Sequence, residues 1–123
     1  MKANGKRVVS RLEEIYQCGK KEDGTFTRMA FSAEDVKGRK LFASWAEGLG
    51  MTCRVDEAGN LIARMEGQDS SLPAILMGSH LDTVPDGGRY DGVLGCVGGL
   101  EVCETFREEG YVPRHPIEVI VFT

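Results

Sequence analysis

Apolar positions in this chain recur with two different periods, and the switches between them outline the elements. Val8, Leu12 and Ile15 repeat at helical spacing and predict a first helix from about Gly5 to Cys18, with Gly19 as its stop. A polar stretch from Lys20 to Phe31 turns around Asp23-Gly24. Ser32 then caps a second helix, with Asp35 three residues on in a box-like position. Leu41, Phe42, Trp45 and Leu49 form its buried face, Trp45 reads as core, and Gly50 ends the helix. Thr52 to Asp56 and Leu61 to Glu66 alternate at period two. Gly59-Asn60 lies in the tight connection between them, so an antiparallel hairpin is predicted.

Ala74 to His80 and Ile117 to Phe122 are almost continuously apolar, the pattern of strands covered on both faces. Between them a helix is predicted from about Gly92 to Glu109. Val93, Val97 and Leu100 mark one apolar face; Gly95, Gly99, Val102 and Phe106 mark another. Glu101, Glu104 and Glu108 keep a polar stripe. A helix apolar on two sides should lie between the sheet and a neighbouring helix, and the strand–helix–strand unit should cross right-handed. The expected fold class is therefore α/β. It is a portion of a three-layer sandwich with a mostly parallel sheet and an N-terminal β-hairpin, incomplete at the C-terminus. The last strand would be left with an open edge or apolar face, and the isolated chain would self-associate.

Composition narrows the function classes. A length of 123 residues implies one domain, and 41% hydrophobic residues is ordinary for a globular one. A net charge of −4 with scattered basic residues gives no footprint for nucleic acid. MKANGKRVVSRL lacks the apolar stretch of a secretory signal, and no run approaches a membrane span. Gly95 and Gly99 form a G-x-x-x-G that reads as close helix packing. Cys18, Cys53, Cys96 and Cys103 show no C-x-x-C spacing, and Cys96 and Cys103 share one helical face. They read as small core residues of a protein in the reducing cytoplasm.

The candidate chemistry lies in Gly78 to Gly92, GSHLDTVPDGGRYDG, between the strand and the third helix. In α/β sheets ligands bind outside the carboxyl ends of strands. His80, Asp82 and Asp91 would project there, and an imidazole with two carboxylates begins a divalent-metal site. If the strand persists to Asp82, positions 80 and 82 share a side. Asp82 is then either a second ligand or the acceptor for the other ring N–H of His80. Gly87 and Gly88 let the loop turn tightly. The bland alternative stands beside this: H-x-D is a weak pattern, a histidine at a strand end is often only a satisfied polar residue, and Asp82 and Asp86 can be turn formers. His115, between Pro113 and Pro116, reads as a solvent-exposed structural residue.

GSHLDTVPDGGRYDGVLGCVGGLE resembles the metal-binding segment of the dinuclear metallo-amidohydrolases related to aminoacylases and zinc carboxypeptidases. The branch it is most similar to is the hydantoinase/carbamoylase-type amidases, which includes N-carbamoyl-L-amino-acid hydrolases, β-ureidopropionase-like enzymes and allantoate amidohydrolases. Thr27-Arg28-Met29-Ala30-Phe31-Ser32 resembles the segment ahead of that branch's second helix, and Val55-Asp56-Glu57-Ala58-Gly59-Asn60-Leu61 resembles its hairpin. The motifs span essentially the whole chain in the family's order.

The resemblance implies that His80 is a ligand of one metal and Asp91 the carboxylate bridging two. Asp82 matches the acidic residue that supports the histidine and tunes the site, and it is the candidate catalytic residue. A cis peptide at Asp91–Gly92 is a family feature to look for. The implied cofactors are two divalent ions, zinc or manganese, and the implied reaction is hydrolysis of linear amide or ureido C–N bonds by metal-activated water. Substrates would be small molecules of the N-carbamoyl amino acid, ureido acid or allantoate type; no substrate-binding residue can be named.

The family's Glu-Glu pair, later histidines and lid or dimerisation domain have no counterpart here. Residues 1–123 are thus expected to be the N-terminal part of a catalytic domain. Alone, that part would be inactive and bind metal weakly or not at all; the intact enzyme would be a homodimer. Two other readings remain: a non-catalytic α/β binding or interaction fragment, and an anion-binding module using the Gly87-Gly88 loop. The second lacks both G-x-G-x-x-G and a P-loop lysine.

Overall fold

The computed structural model describes residues 1–123. In chain order the elements are α1 (Gly5–Tyr16), α2 (Ala33–Gly48), β1 (Thr52–Val55), β2 (Leu61–Met65), β3 (Ile75–His80), α3 (Val93–Glu108) and β4 (Ile117–Phe122). Helix α2 starts as its capping signal predicts. Ser32 Oγ accepts the Asp35 N–H at 3.1 Å, and Asp35 Oδ2 accepts the Phe31 N–H at 3.1 Å. The carboxylate thus reaches one residue further back than in the usual box. In the hairpin turn, Asp56 Oδ1 accepts the N–H groups of Ala58 and Asn60, and Gly59 takes φ +90°.

The strands form one sheet in the order β1-β2-β4-β3. The α/β class holds, but the sheet is mixed rather than mostly parallel. β1–β2 and β2–β4 are antiparallel, and only β3–β4 is parallel. The apolar run of β4 did not reveal that its second neighbour is the hairpin. The open edge that was one alternative for β4 is not there: β2 and β3 flank it, and the edges belong to β1 and β3, with Ile75 and Leu76 of β3 exposed.

The register separates the two faces of the sheet. Leu61, Ala63, Ile117, Val119 and Val121 join one core with Leu12 and Ile15 of α1, Phe42 and Ala46 of α2, and Cys96, Val97, Leu100 and Cys103 of α3. All three helices therefore lie on one side, and this chain supplies two layers of the expected three. Arg54, Ile62, Arg64, Glu118, Ile120 and Leu76 alternate onto the other side. The glycine pair in α3 does bring the helix close. A Cβ on Gly95 would sit 2.7 Å from Ser79 Cβ, and one on Gly99 2.7 Å from Val119 Cγ1. Burial pushes the Cys96 thiol up to about 12 and the Cys103 thiol up to about 11, as for inert core residues. All four cysteines are free.

The glutamate stripe of α3 is an interface. Glu101 is only 2% exposed and pairs with Arg7 of α1 at 2.8 Å, while Arg11 reaches Glu104 at 2.7 Å. Glu101 also accepts the Asn4 N–H at 2.6 Å and the Thr105 hydroxyl at 3.1 Å. Burial pushes the Glu101 pKa up, but the Arg7, Asn4 and Thr105 hydrogen bonds outweigh it and hold the carboxyl below its usual range. The polar stripe of α3 thus joins it to α1.

Candidate metal centre

β3 ends at His80, and the chain then turns through residues 81–92 before α3 begins. His80, Asp82, Thr83, Val84, Gly87, Gly88 and Asp91 line a concavity of about 110 Å³ at this carboxyl end of the strand. The three residues singled out in the sequence therefore share one wall system. They do not close around a point: no group of three or more His, Cys, Asp or Glu side chains gathers to hold an ion.

The His80 ring is oriented from the backbone. Its Nδ1 lies 2.9 Å from the Asp82 main-chain carbonyl oxygen and 3.4 Å from Asp82 Oδ1. A carbonyl only accepts, so Nδ1 is the donor in this contact, and Nε2 makes no hydrogen bond. The orienting role expected for the Asp82 carboxylate is thus carried mainly by its own carbonyl. Asp91 is exposed at the far side of the loop.

Gly92 is part of this arrangement. It is the N-cap of α3 with φ +75°, and a Cβ there would fall 2.3 Å from His80 Cε1 and 2.4 Å from Nε2. The ring therefore lies against bare backbone at the start of α3. The peptide bonds are all trans, so the cis bond looked for at Asp91–Gly92 is not present; the positive φ of Gly92 makes the turn instead. At the start of α3, Leu94 donates its N–H to the Tyr90 carbonyl and Gly95 to that of Gly92.

The loop is anchored at both ends. Arg89 pairs with Glu13 of α1 and stacks over Tyr16 and Tyr90. At the near end, Thr83 donates its N–H to the Arg28 carbonyl at 2.7 Å, and its hydroxyl accepts the Arg28 N–H at 2.9 Å. Arg28 and Gly92 are the site-shaping residues that sequence reasoning missed. For Arg28 the signal was an arginine inside the Thr27–Ser32 motif, matched but given no role. His115, far from the loop, is half-buried rather than exposed, with Nδ1 2.8 Å from the Pro73 carbonyl oxygen.

The donor chemistry fits a divalent ion: one imidazole nitrogen with its tautomer set, and carboxylates on the same concavity. The set is partial, since a zinc site normally takes three protein ligands and water, or four protein ligands.

Comparison with known proteins decides the family. The profile of peptidase family M28 matches residues 60–123, just over half of the chain. The chain belongs to peptidase family M28. It is 44% identical over 119 residues to an N-carbamoyl-L-amino acid amidohydrolase from Geobacillus stearothermophilus, covering 97% of this chain and 29% of that protein. A ureidoglycolate hydrolase from Oryza sativa subsp. japonica is 34% identical over 113 residues, covering 92% of this chain and 23% of that one. Among solved structures, a hydantoinase/carbamoylase family amidase from Burkholderia ambifaria superposes with a TM-score of 0.94 at 42% identity, covering 97% of this chain and 29% of the other. The M28 chain thus spans less than a third of these relatives. The likeness to the hydantoinase/carbamoylase branch read from the sequence is borne out.

Proposed function

We propose that this M28 chain is the N-terminal part of the catalytic domain of a metal-dependent amidohydrolase acting on linear amide or ureido C–N bonds. The substrates would be small molecules of the N-carbamoyl amino acid, ureido acid or allantoate type. The observation that carries the reading is the His80 ring, its Nδ1 proton held by the Asp82 carbonyl and its Nε2 free on a concavity shared with Asp91. The names of the relatives support the substrate class.

In this reading His80 Nε2 and the Asp91 carboxylate hold divalent metal, zinc or manganese. Such an ion polarises a scissile carbonyl and lowers the pKa of water. The Asp82 carbonyl keeps the His80 ring in one tautomer, and the nearby Asp82 carboxylate favours the positive charge drawn onto the ring. Gly92 gives the ring its place against the backbone. The other ligands and the group that moves the proton would come from outside residues 1–123. No helix of the chain is long and apolar enough to cross a membrane. The four free thiols suit the cytoplasmic setting that belongs to the same proposal.

The test is to assay the longest reading frame containing this chain for hydrolysis of an N-carbamoyl-L-amino acid, ureidoglycolate and allantoate, before and after chelation. Activity with one of them, lost on chelation, restored by zinc or manganese and absent in His80→Ala, is expected. Activity unaffected by both chelation and His80→Ala would overturn the metal reading. A chain with no hydrolytic activity on any of the three would favour a binding or interaction role.

A further inference from the structure

Arg28 is fully buried, which is unusual for the residue type. Its guanidinium donates from Nε to the Leu81 carbonyl at 2.7 Å and from Nη1 to the Ile15 and Cys18 carbonyls at 2.8 Å each, while Nη2 has no partner. No carboxylate forms an ion pair with it; its acceptors are main-chain oxygens, and its face lies 5.1 Å from the Phe26 ring. Gly38 in α2 leaves it room, since a Cβ there would meet Arg28 Cδ at 3.2 Å. An unpaired buried cation is costly, and a neutral apolar side chain would fill the same space more cheaply. The guanidinium therefore calls for a role beyond packing.

One guanidinium bond and one main-chain bond of Arg28 meet at the two peptide groups that flank Asp82. The Leu81–Asp82 peptide presents its carbonyl to Arg28 Nε, and the Asp82–Thr83 peptide gives its N–H to the Arg28 carbonyl at 2.7 Å. In a trans peptide the C=O points opposite to the N–H. With the Thr83 N–H fixed toward Arg28, the Asp82 carbonyl is turned away from it and meets His80 Nδ1. Neighbouring residues extend the clamp: the Asp86 N–H donates to Thr27 Oγ1 at 2.9 Å, and the Gly87 N–H to the Phe26 carbonyl at 3.0 Å. The far end is the C-terminus of α1, where Ile15 O also accepts the Cys18 N–H at 3.0 Å and the helix dipole favours a cation.

We infer that Arg28 is a positioning residue for the candidate metal centre: it fixes the peptide planes on either side of Asp82 and so sets the tautomer and direction of the His80 ring. This rests on the proposed metal role of His80 for its purpose, but not for its geometry.

The test separates the two. Nitrogen-15 NMR of the metal-free chain reports which ring nitrogen of each histidine carries the proton. In the wild type His80 should be protonated at Nδ1, and the Thr83 amide should resist hydrogen exchange as well as the β4 amides do. In Arg28→Lys, which keeps the charge but loses the fork, the His80 signals should move toward a mixture of tautomers. His115, held by the Pro73 carbonyl elsewhere, should not move. Zinc affinity should weaken about tenfold or more, as for other residues that support a ligand from behind.

An unchanged His80 tautomer in a folded Arg28→Lys chain overturns the inference. Should that variant not fold, the wild-type Arg28 Nε–H decides: exchange as fast as in an exposed arginine overturns the inference, and a protected Nε–H, held on the Leu81 carbonyl, supports it. If zinc leaves the His80 Nε2 signal in place in the longest reading frame containing this chain, the metal reading fails while the tautomer result stands.

Discussion

Replacing Gly92 with alanine tests how the His80 ring is held. Two separate terms add. Gly92 has φ +75° and ψ −49°, a conformation that an L residue adopts only under strain of about 1–3 kcal/mol. The added Cβ would also stand 2.3–2.6 Å from three atoms of the His80 ring, so the ring must swing away. It would then lose the bond from Nδ1 to the Asp82 carbonyl, a net loss of about 0.5–1.5 kcal/mol. The expected total is about 2–4 kcal/mol. A double-mutant cycle separates the terms, because His80→Ala removes the ring but leaves the backbone strain. Urea unfolding of the wild type, Gly92→Ala, His80→Ala and the double variant should give a coupling of about 1 kcal/mol, with Gly92→Ala less harmful when the ring is absent. Equal cost in both backgrounds would show that the ring is not pressed on Gly92 and would refute the reasoning.

Glu101→Gln should cost about 2 kcal/mol at pH 7, because it weakens a charge-assisted bond to Arg7 in a nearly closed interface. The Glu101 pKa is depressed on folding, so its contribution is complete above the unfolded value near ~4.3 and is lost as pH falls through the folded value. The gap between wild type and variant in urea midpoint should therefore close as pH drops below about 4; a gap constant down to pH 3 would contradict the assignment. The neighbouring glycines of α3 should respond oppositely to alanine. Gly98 has nothing within 4 Å of its would-be Cβ, so Gly98→Ala should stabilise by about 0.5–1 kcal/mol. Gly99 faces Val119 Cγ1 at 2.7 Å, so Gly99→Ala should destabilise by about 1–3 kcal/mol. Thermal unfolding of the two variants decides, and shifts of the same sign would refute the placement of α3 on the sheet.

Much of this was legible in the residues. Every element and its type could be placed, because the periods were clean and Ser32, Gly19 and Gly59 punctuate them. The neighbour relations were not legible. Period two in β2 and the continuous apolar run of β4 show that both are strands, but not that Ala63 sits opposite Val119. Likewise Glu101, Glu104 and Glu108 have the same spacing whether they face water or Arg7 and Arg11, and only the packing of α1 decides. His80, Asp82 and Asp91 stood out because imidazole and carboxylate side chains are of metal-ligating type. Arg28 and Gly92 act through main-chain oxygens and through empty space, and neither leaves a spacing to read.

The strand order carries a consequence for how the chain reaches its native state. β4 is the last element in sequence, yet it joins the hairpin to β3, with Met65 opposite Ile117 on one side and Ile75 opposite Ile117 on the other. Until residues 117–122 emerge during synthesis, the hairpin and β3 have no shared partner. The loop carrying His80 and Asp82 therefore hangs from a strand without a ladder. Closure of this sheet is then a long-range event whose loop-closure entropy slows it, and β3 gains its ladder only with it.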